Sequence, residues 1–318
     1  MRLFPSEASS VAPEVDHLVL FLIGLSLIFI VLIFLPLVYF AFKYRRGTKA
    51  DRTPPRLAQW KLEVTWSIIP LLLMMGVFAW GASLYFHIER PPADAFEINV
   101  VGKQWMWKVE HQEGVREINA IHVPVGRSVK LVMTSQDVIH SFFIPDFRIK
   151  QDVVPGKYTT EWFNAAKPGS YYLFCSQFCG TDHAKMIGRI TVMEPPAYES
   201  WLASNSSGGT LAVAGAKLFT ELGCSGCHGA NSKVRAPKLE GIYGKPVPLE
   251  GSVFQIADDK YIRDCILQEN HLHVAGFQPL MPTFKGHASE EELMELIAYI
   301  KSLGRTNPEE DVNLEGTK

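Results

Sequence analysis

Two uncharged stretches dominate the hydropathy pattern of the 318-residue chain. Leu18 to Phe42 runs 25 residues without a charge, LVLFLIGLSLIFIVLIFLPLVYFAF, and Val64 to Phe86 runs 23, VTWSIIPLLLMMGVFAWGASLYF. At about 1.5 Å per residue, each can cross a hydrocarbon layer of about 30 Å with some tilt. Their apolar character covers every face, unlike the single stripe of a soluble core helix. Pro36 and Pro70 fall inside them and are expected kink positions. The first run is too long for the apolar part of a secretory signal and has no basic leader or small-residue cleavage site.

Beyond residue 87 the period changes. FEINVVG (96–102), SVKLVMTS (128–135), SYYLFC (170–175) and IGRITVME (187–194) alternate or are rich in β-branched and aromatic residues. Pro124-Val125-Gly126, Pro155-Gly156 and Pro168-Gly169 punctuate them, which predicts a sandwich or barrel. Ser204 to Thr210, SNSSGGT, has the composition of a flexible linker. After it, AVAGAKLFTELG, DDKYIRDCILQE and SEEELMELIAYIKSLG carry helical periodicity. The expected division is an N-terminal segment (1–17), a transmembrane hairpin (18–86), an all-β domain (87–203), a linker (204–210), an all-α domain (211–305) and a tail (306–318).

Charge orients this plan. Lys43, Arg45, Arg46, Lys49, Arg52, Arg56 and Lys61 crowd the loop between the spans, whereas only Arg2 precedes the first span. The positive-inside rule places that loop in the cytoplasm, and both termini and both domains outside. The formal net charge of −2 offers no basic surplus to hold a nucleic-acid backbone, so no nucleic-acid partner is expected. Five cysteines are too few for a disulfide scaffold, and an odd number cannot all pair internally.

Four of the sulfur and imidazole groups lie within twelve residues, CSQFCGTDHAKM: Cys175, Cys179, His183 and Met186. His140 lies upstream in DVIHSFFIP. Zinc is satisfied by two Cys and two His and has no use for Met186, whereas a thioether favours copper. One copper needs one thiolate, and this loop has two. Both sulfurs can bridge two copper ions, each with one His, with Met186 on one ion and a loop carbonyl on the other. Sharing one electron over two metals leaves bond lengths nearly unchanged on reduction, which suits electron transfer. The plainer alternative is a Cys175–Cys179 disulfide beside a core Met and a surface His.

A second cluster is Cys224-Ser225-Gly226-Cys227-His228, the C-x-x-C-H signature of covalent haem attachment. His228 would supply the proximal nitrogen. Met281, in GFQPLMP, is the expected sixth ligand; His271 and His273 are rivals, and Met294 belongs on the terminal helix. Cys265 reads as a small buried hydrophobe. Residues 211–305 resemble a class I cytochrome c over their whole length.

WSIIP (66–70), GKQWMW (102–107), DVIHSFFIPDFRIKQDVVPG (137–156) and CSQFCGTDHAKM (175–186) carry a resemblance to subunit II of haem-copper cytochrome oxidases across roughly residues 15–195. That family has a cupredoxin barrel behind a two-helix anchor. The resemblance implies a binuclear CuA centre bridged by Cys175 and Cys179, with His140 and His183 on one copper each. Met186 and the Gln177 carbonyl would be the weak ligands. Many relatives carry Glu at the position of Gln177, where it also helps bind Mg²⁺ shared with subunit I; Gln177 keeps the carbonyl and loses that charge. Trp105 matches the family's electron-receiving aromatic, a position a packing Trp could equally fill. Glu63 matches a carboxylate at the cytoplasmic mouth of a proton channel into subunit I, or is an ordinary charge capping a span.

Together these features imply a caa-type cytochrome c oxidase subunit II with its own cytochrome c. The expected partners are subunit I and the other oxidase subunits, the lipid bilayer, and a small cytochrome c or other soluble redox protein as donor. The spans contain no histidine for a haem, so oxygen reduction belongs to subunit I. Alternatives are the CuA subunit of a nitric oxide reductase and a stand-alone membrane-tethered copper-haem carrier.

Overall fold

The computed structural model describes residues 4–52, 59–206, 209–229, 232, 234, 236–251, 253–268 and 272–304. Arg2, Arg56, His271, part of the 204–210 linker and the 306–318 tail lie outside the described residues.

Helices α1 (Ala12–Lys43) and α2 (Gln59–Glu89) contain the two uncharged runs and reach beyond them. Both continue through their prolines. A helix meets every backbone hydrogen bond internally, as a hydrocarbon surrounding demands. Leu32, Ile33, Leu72 and Phe78 stand exposed, so the apolar surface awaits lipid or another subunit. Phe21 and Trp80 bring the two helices together, their ring centroids 5.4 Å apart.

Ten strands follow: β1 (Phe96–Lys103), β2 (Met106–His111), β3 (Arg116–Ile118), β4 (Ala120–Pro124), β5 (Ser128–Ser135), β6 (His140–Ile144), β7 (Ile149–Val153), β8 (Thr159–Asn164), β9 (Gly169–Cys175) and β10 (Ile187–Met193). They form two five-stranded sheets, β3-β2-β1-β5-β8 and β4-β10-β9-β6-β7. β1 pairs with β5, and β4 with β10, in parallel; the remaining pairs are antiparallel. Alternation sends Val129, Leu131 and Met133 of β5, and Ile190 and Val192 of β10, into one core with Trp107, Phe142, Phe147 and Phe163. The four strands expected from alternation are β1, β5, β9 and β10.

The segment before α1 is stitched to this β unit. The Ala8 amide donates to the Asp146 carbonyl (3.0 Å) and the Ser10 amide to the Asn164 carbonyl (2.9 Å). Arg148 donates from Nε and Nη2 to the two carboxylate oxygens of Asp16 (2.8 Å each). Its remaining N–H groups reach the Pro5, Ser6 and Pro145 carbonyls. Both ends of this ion pair are buried.

Helix α3 (Pro195–Asn205) was not expected, and its last two residues occupy the start of the stretch read as linker. Trp201 holds it in place, stacked on His122 (4.4 Å between centroids) and edge-on to His111. Those two histidines grip opposite oxygens of Glu117, at 2.5 and 2.8 Å.

The helical unit comprises α4 (Leu211–Glu221), α5 (Ser225–His228), a hairpin of β11 (Pro246–Leu249) and β12 (Val253–Ile256), α6 (Asp259–Leu267) and α7 (Glu290–Ser302). The Asp258 side chain caps α6, and a reciprocal Ser289–Glu292 capping box starts α7. α4 and α7 cross at Gly215, where a Cβ would come 2.0 Å from the Glu295 carbonyl oxygen. Only glycine permits that approach.

Two outcomes follow from the buried charges. Arg148→Ala strands Asp16, and is expected to destabilise the β unit by about 3 kcal/mol or more, read as earlier thermal unfolding by near-UV circular dichroism. Burial alone would push the Glu117 carboxyl up, but His111 and His122 hold it down at about 2. Because the folded value lies below the unfolded one, near 4.3, this stabilisation is complete above about pH 5 and fades as pH falls toward 2. Glu117→Gln should flatten that acid limb and lower stability at neutral pH, read from thermal unfolding between about pH 3 and 7 by circular dichroism.

Candidate copper loop and haem pocket

Strand β9 ends on Cys175 and β10 begins on Ile187, so the loop between them leaves and re-enters one antiparallel pair. Its base is closed by the Cys175 amide donating to the Met186 carbonyl (3.3 Å) and the Ser176 amide donating to the Ser141 carbonyl (3.0 Å). Within that frame the two sulfurs lie 3.8 Å apart. This is far beyond a disulfide bond of about 2.05 Å, and both cysteines are free. His140 Nδ1 lies 3.9 Å from the Cys175 sulfur, and His183 Nδ1 3.4 Å from the Cys179 sulfur. Met186 Sδ is 3.9 Å from Cys179, and the Gln177 carbonyl oxygen 3.2 Å from Cys175. All six expected groups therefore converge. His140, Cys175, Cys179 and Met186 are buried; the Gln177 side chain points outward.

The thiols cannot ionise independently. Burial opposes ionisation of Cys175, but His140 and surrounding backbone groups outweigh it and bring this thiol down. Burial, and then the neighbouring Cys175 sulfur, push Cys179 up. Two thiolates at this separation need positive charge between them, which soft cations supply. The donor set thus fits copper.

Two supporting residues escaped the sequence reading. Asp137 Oδ1 meets His140 Nε2 at 2.8 Å, leaving Nδ1 to face the sulfurs. The same carboxylate accepts the Gln104 and Val138 amides (2.8 and 2.7 Å). Burial works against its ionisation, yet these donors and His140 hold it below the usual range. Its signal was present three residues before the histidine, in DVIH, as a carboxylate able to orient a ligand ring. Gln104 Nε2 also donates to the Cys179 carbonyl (2.8 Å), and Trp105 Nε1 donates to the same oxygen (3.2 Å). Trp105 thus leans on the copper loop, whereas Glu63 stands exposed near the start of α2, far along the chain from it.

In the helical unit, an apolar cavity of about 260 Å³ is lined by Cys224, Cys227, His228 and Met281, with Phe219 and Ile300 among its walls. The Pro237 carbonyl accepts from His228 Nδ1 (3.0 Å), which leaves Nε2 free for the cavity. His273 also borders the cavity but lies 3.5 Å from Glu250. Cys265 is a wall residue whose thiol burial pushes up, in keeping with a small apolar filler. Met294 is buried elsewhere, against Val101 and Val132 of the β unit.

The family described as cytochrome c oxidase subunit II, periplasmic domain, matches residues 114–193, and the cytochrome c family matches residues 212–304. The chain thus carries a cytochrome c oxidase subunit II periplasmic domain and a cytochrome c domain on one polypeptide. It is 29% identical over 303 residues to cytochrome c oxidase subunit 2 of Alkalihalophilus pseudofirmus, covering 91% of this chain and 86% of that protein. To cytochrome c oxidase subunit 2 of Cereibacter sphaeroides it is 28% identical over 267 residues, covering 70% and 86%. The crystal structure of the periplasmic domain of subunit II of cytochrome oxidase from Bradyrhizobium japonicum aligns at 32% identity with a TM-score of 0.35, covering 36% of this chain and 96% of that one.

The chain is membrane-anchored through its two apolar helices, with a cupredoxin-like extracytoplasmic domain followed by a helical cytochrome c domain. The relatives it matches over most of its length are named as subunits of cytochrome c oxidases.

Asp137→Ala is expected to weaken copper binding by about 10- to 100-fold, since it frees the His140 ring while leaving all six donor groups in the chain. Competitive copper titration against a chelator measures this; unchanged affinity would mean the ring needs no such support.

Proposed function

We propose that this chain is subunit II of a caa-type cytochrome c oxidase in a prokaryotic cell membrane. It accepts electrons from an external donor through its own haem c and a binuclear CuA centre, and passes them to subunit I, where O2 is reduced to water. When bound, the haem iron and the copper pair carry the electron.

The residues set where those groups sit and how little they move. His140, Cys175, Gln177 through its carbonyl, Cys179, His183 and Met186 would hold the coppers. Cys224 and Cys227 would attach the haem covalently, and His228 and Met281 would be the iron ligands. Asp137 and the Pro237 carbonyl each fix a histidine ring before the group arrives, so little reorganisation is left. Trp105 would hand electrons to the copper loop through its contact with the Cys179 carbonyl. Glu63, at the loop end of α2, would stand at the proton-channel mouth of subunit I.

The observation that carries this reading is the convergence of six copper-type donors beside a C-x-x-C-H unit on one polypeptide. The N-terminal segment bonds to the β unit through Ala8 and Ser10, which supports an N-terminus on the same side of the membrane as the copper loop.

Purification in mild detergent with metal analysis tests the reading. Expected are about three copper ions per covalently bound haem, two from the loop and one from the haem–copper centre of subunit I, and a large polytopic haem subunit that consumes O2. Cys175→Ser should abolish the binuclear character, while Met186→Leu should alter the copper spectrum yet keep both ions. Zinc in the loop, or a lone chain with no oxidase partner, would overturn the proposal; nitric oxide turnover without O2 turnover would reassign the complex.

A further inference from the structure

Helix α7 has two buried faces. Leu293, Leu296, Ile297 and Ile300 lie in the core of the cytochrome c domain, and Leu296 and Ile300 border the haem cavity. Glu291, Met294, Glu295 and Lys301 instead meet the sheet β3-β2-β1-β5-β8 of the copper domain. The spacings i, i+3, i+4 and i+10 place them along one side of the helix.

The contacts on that side follow a charge pattern. Near the start of α7, Glu291 accepts from Lys108 Nζ (2.6 Å) and from Gln136 Nε2 (2.7 Å). One turn later Glu295 pairs with Arg116, which also holds Glu110 (2.7 Å). In the last turn the sign reverses, and Lys301 Nζ donates to Glu97 (3.0 Å) and forms an ion pair with Asp259 (2.9 Å). Between the two ends Met294 packs on Val101, Val132 and Tyr158. To one side Arg263, tied to Glu290, donates to the Gly156 carbonyl (3.2 Å).

We propose that the cytochrome c domain docks on its own copper domain through this outer face of α7, in one orientation set by the charge pattern. Cations of the copper domain meet the acidic first turns of the helix, and an anion meets its basic last turn. Turning the helix end for end would set Lys301 against Lys108 and Arg116, and Glu291 against Glu97. Such like-charge contacts reject the reversed orientation. Acids at the N-terminal end and a cation at the C-terminal end also suit the helix dipole.

Docked this way, α7 borders the haem cavity with one side and the sheet with the other. The Glu291 contact lands on Gln136, whose neighbour Asp137 orients His140. The cavity lining contains no residue of the copper domain, so docking leaves the haem pocket unobstructed for a donor. The docked geometry stands by itself; its meaning as an internal electron path rests on the function proposed above.

The test uses the full-length chain in detergent, loaded with haem and copper. A zero-length carbodiimide linker joins an amine to a carboxylate only where they touch. Peptide mapping should find Lys108 joined to Glu291 at low salt, with the yield falling about fivefold or more in about 0.5 M salt. Lys108→Glu or Glu291→Lys alone should abolish this link and slow haem-to-copper electron transfer after flash reduction by about tenfold. The exchange of both should restore the transfer rate to within about threefold. Arg116→Ala, which leaves Glu110 facing Glu295, gives a second disruption with neither partner of the first pair altered. Intact haem and copper spectra report that each variant is folded.

Absence of the Lys108–Glu291 link at low salt, or Lys108 joined evenly to scattered acids, overturns the docking. Single reversals that leave the rate unchanged, or a double exchange as slow as either single, do the same. A formed link without electron transfer from haem to copper would leave the docking standing and remove the electron path instead.

Discussion

Two buried sulfurs held 3.8 Å apart constrain the copper domain more than any other contact. Neither can be relaxed by solvent, and the second resists ionisation once the first has lost its proton. A cationic occupant is what lets both sulfurs ionise together. The hairpin makes the arrangement possible because β9 and β10 pair in register up to Phe174 and Ile187, so both ends of the loop are fixed. His140 arrives from β6, which pairs with β9 through Phe142 and Cys175. The donor geometry is thus a consequence of sheet register, and a one-residue slip would turn the donors to the wrong face.

The cytochrome c domain depends on the same economy of elements. α7 closes the haem cavity with one side and faces the copper domain with the other. α4 packs so closely on it that Gly215 is required. A change in the wall of the haem pocket is therefore a change in the helix that carries Glu291 and Glu295. The membrane end is tied in a comparable way, since Arg148 joins the corner after β6 to the first turns of α1. Anchor, copper loop and haem cavity are connected through side chains that each have few alternatives.

Local signals were legible and long-range pairings were not. The spans, the C-x-x-C-H run and the copper loop declare themselves through uninterrupted hydropathy or through rare residue types at fixed spacing. β1, β5, β9 and β10 alternate or are rich in β-branched and aromatic residues. β2 and β3 are short and carry Lys108, Glu110, Arg116 and Glu117, whose charges pair with residues of other elements. α3 begins with two prolines and is held by Trp201 on His122, a contact made across 79 positions of chain that no periodicity reveals. Arg148 and Asp16 are 132 residues apart. The second face of α7 carries no local signal, since Glu291 and Glu295 look alike whether they meet water or Lys108 and Arg116. Asp137 and Pro237 act through a carboxylate and a carbonyl, groups too common in sequence to stand out.

The central claim is that two metal ions share one electron between Cys175 and Cys179. Electron paramagnetic resonance of the oxidised, copper-loaded chain addresses it most directly. The account predicts one unpaired electron whose hyperfine splitting comes from a pair of equivalent copper nuclei. Splitting from a single copper nucleus, or a silent spectrum from a zinc-filled loop, would contradict it.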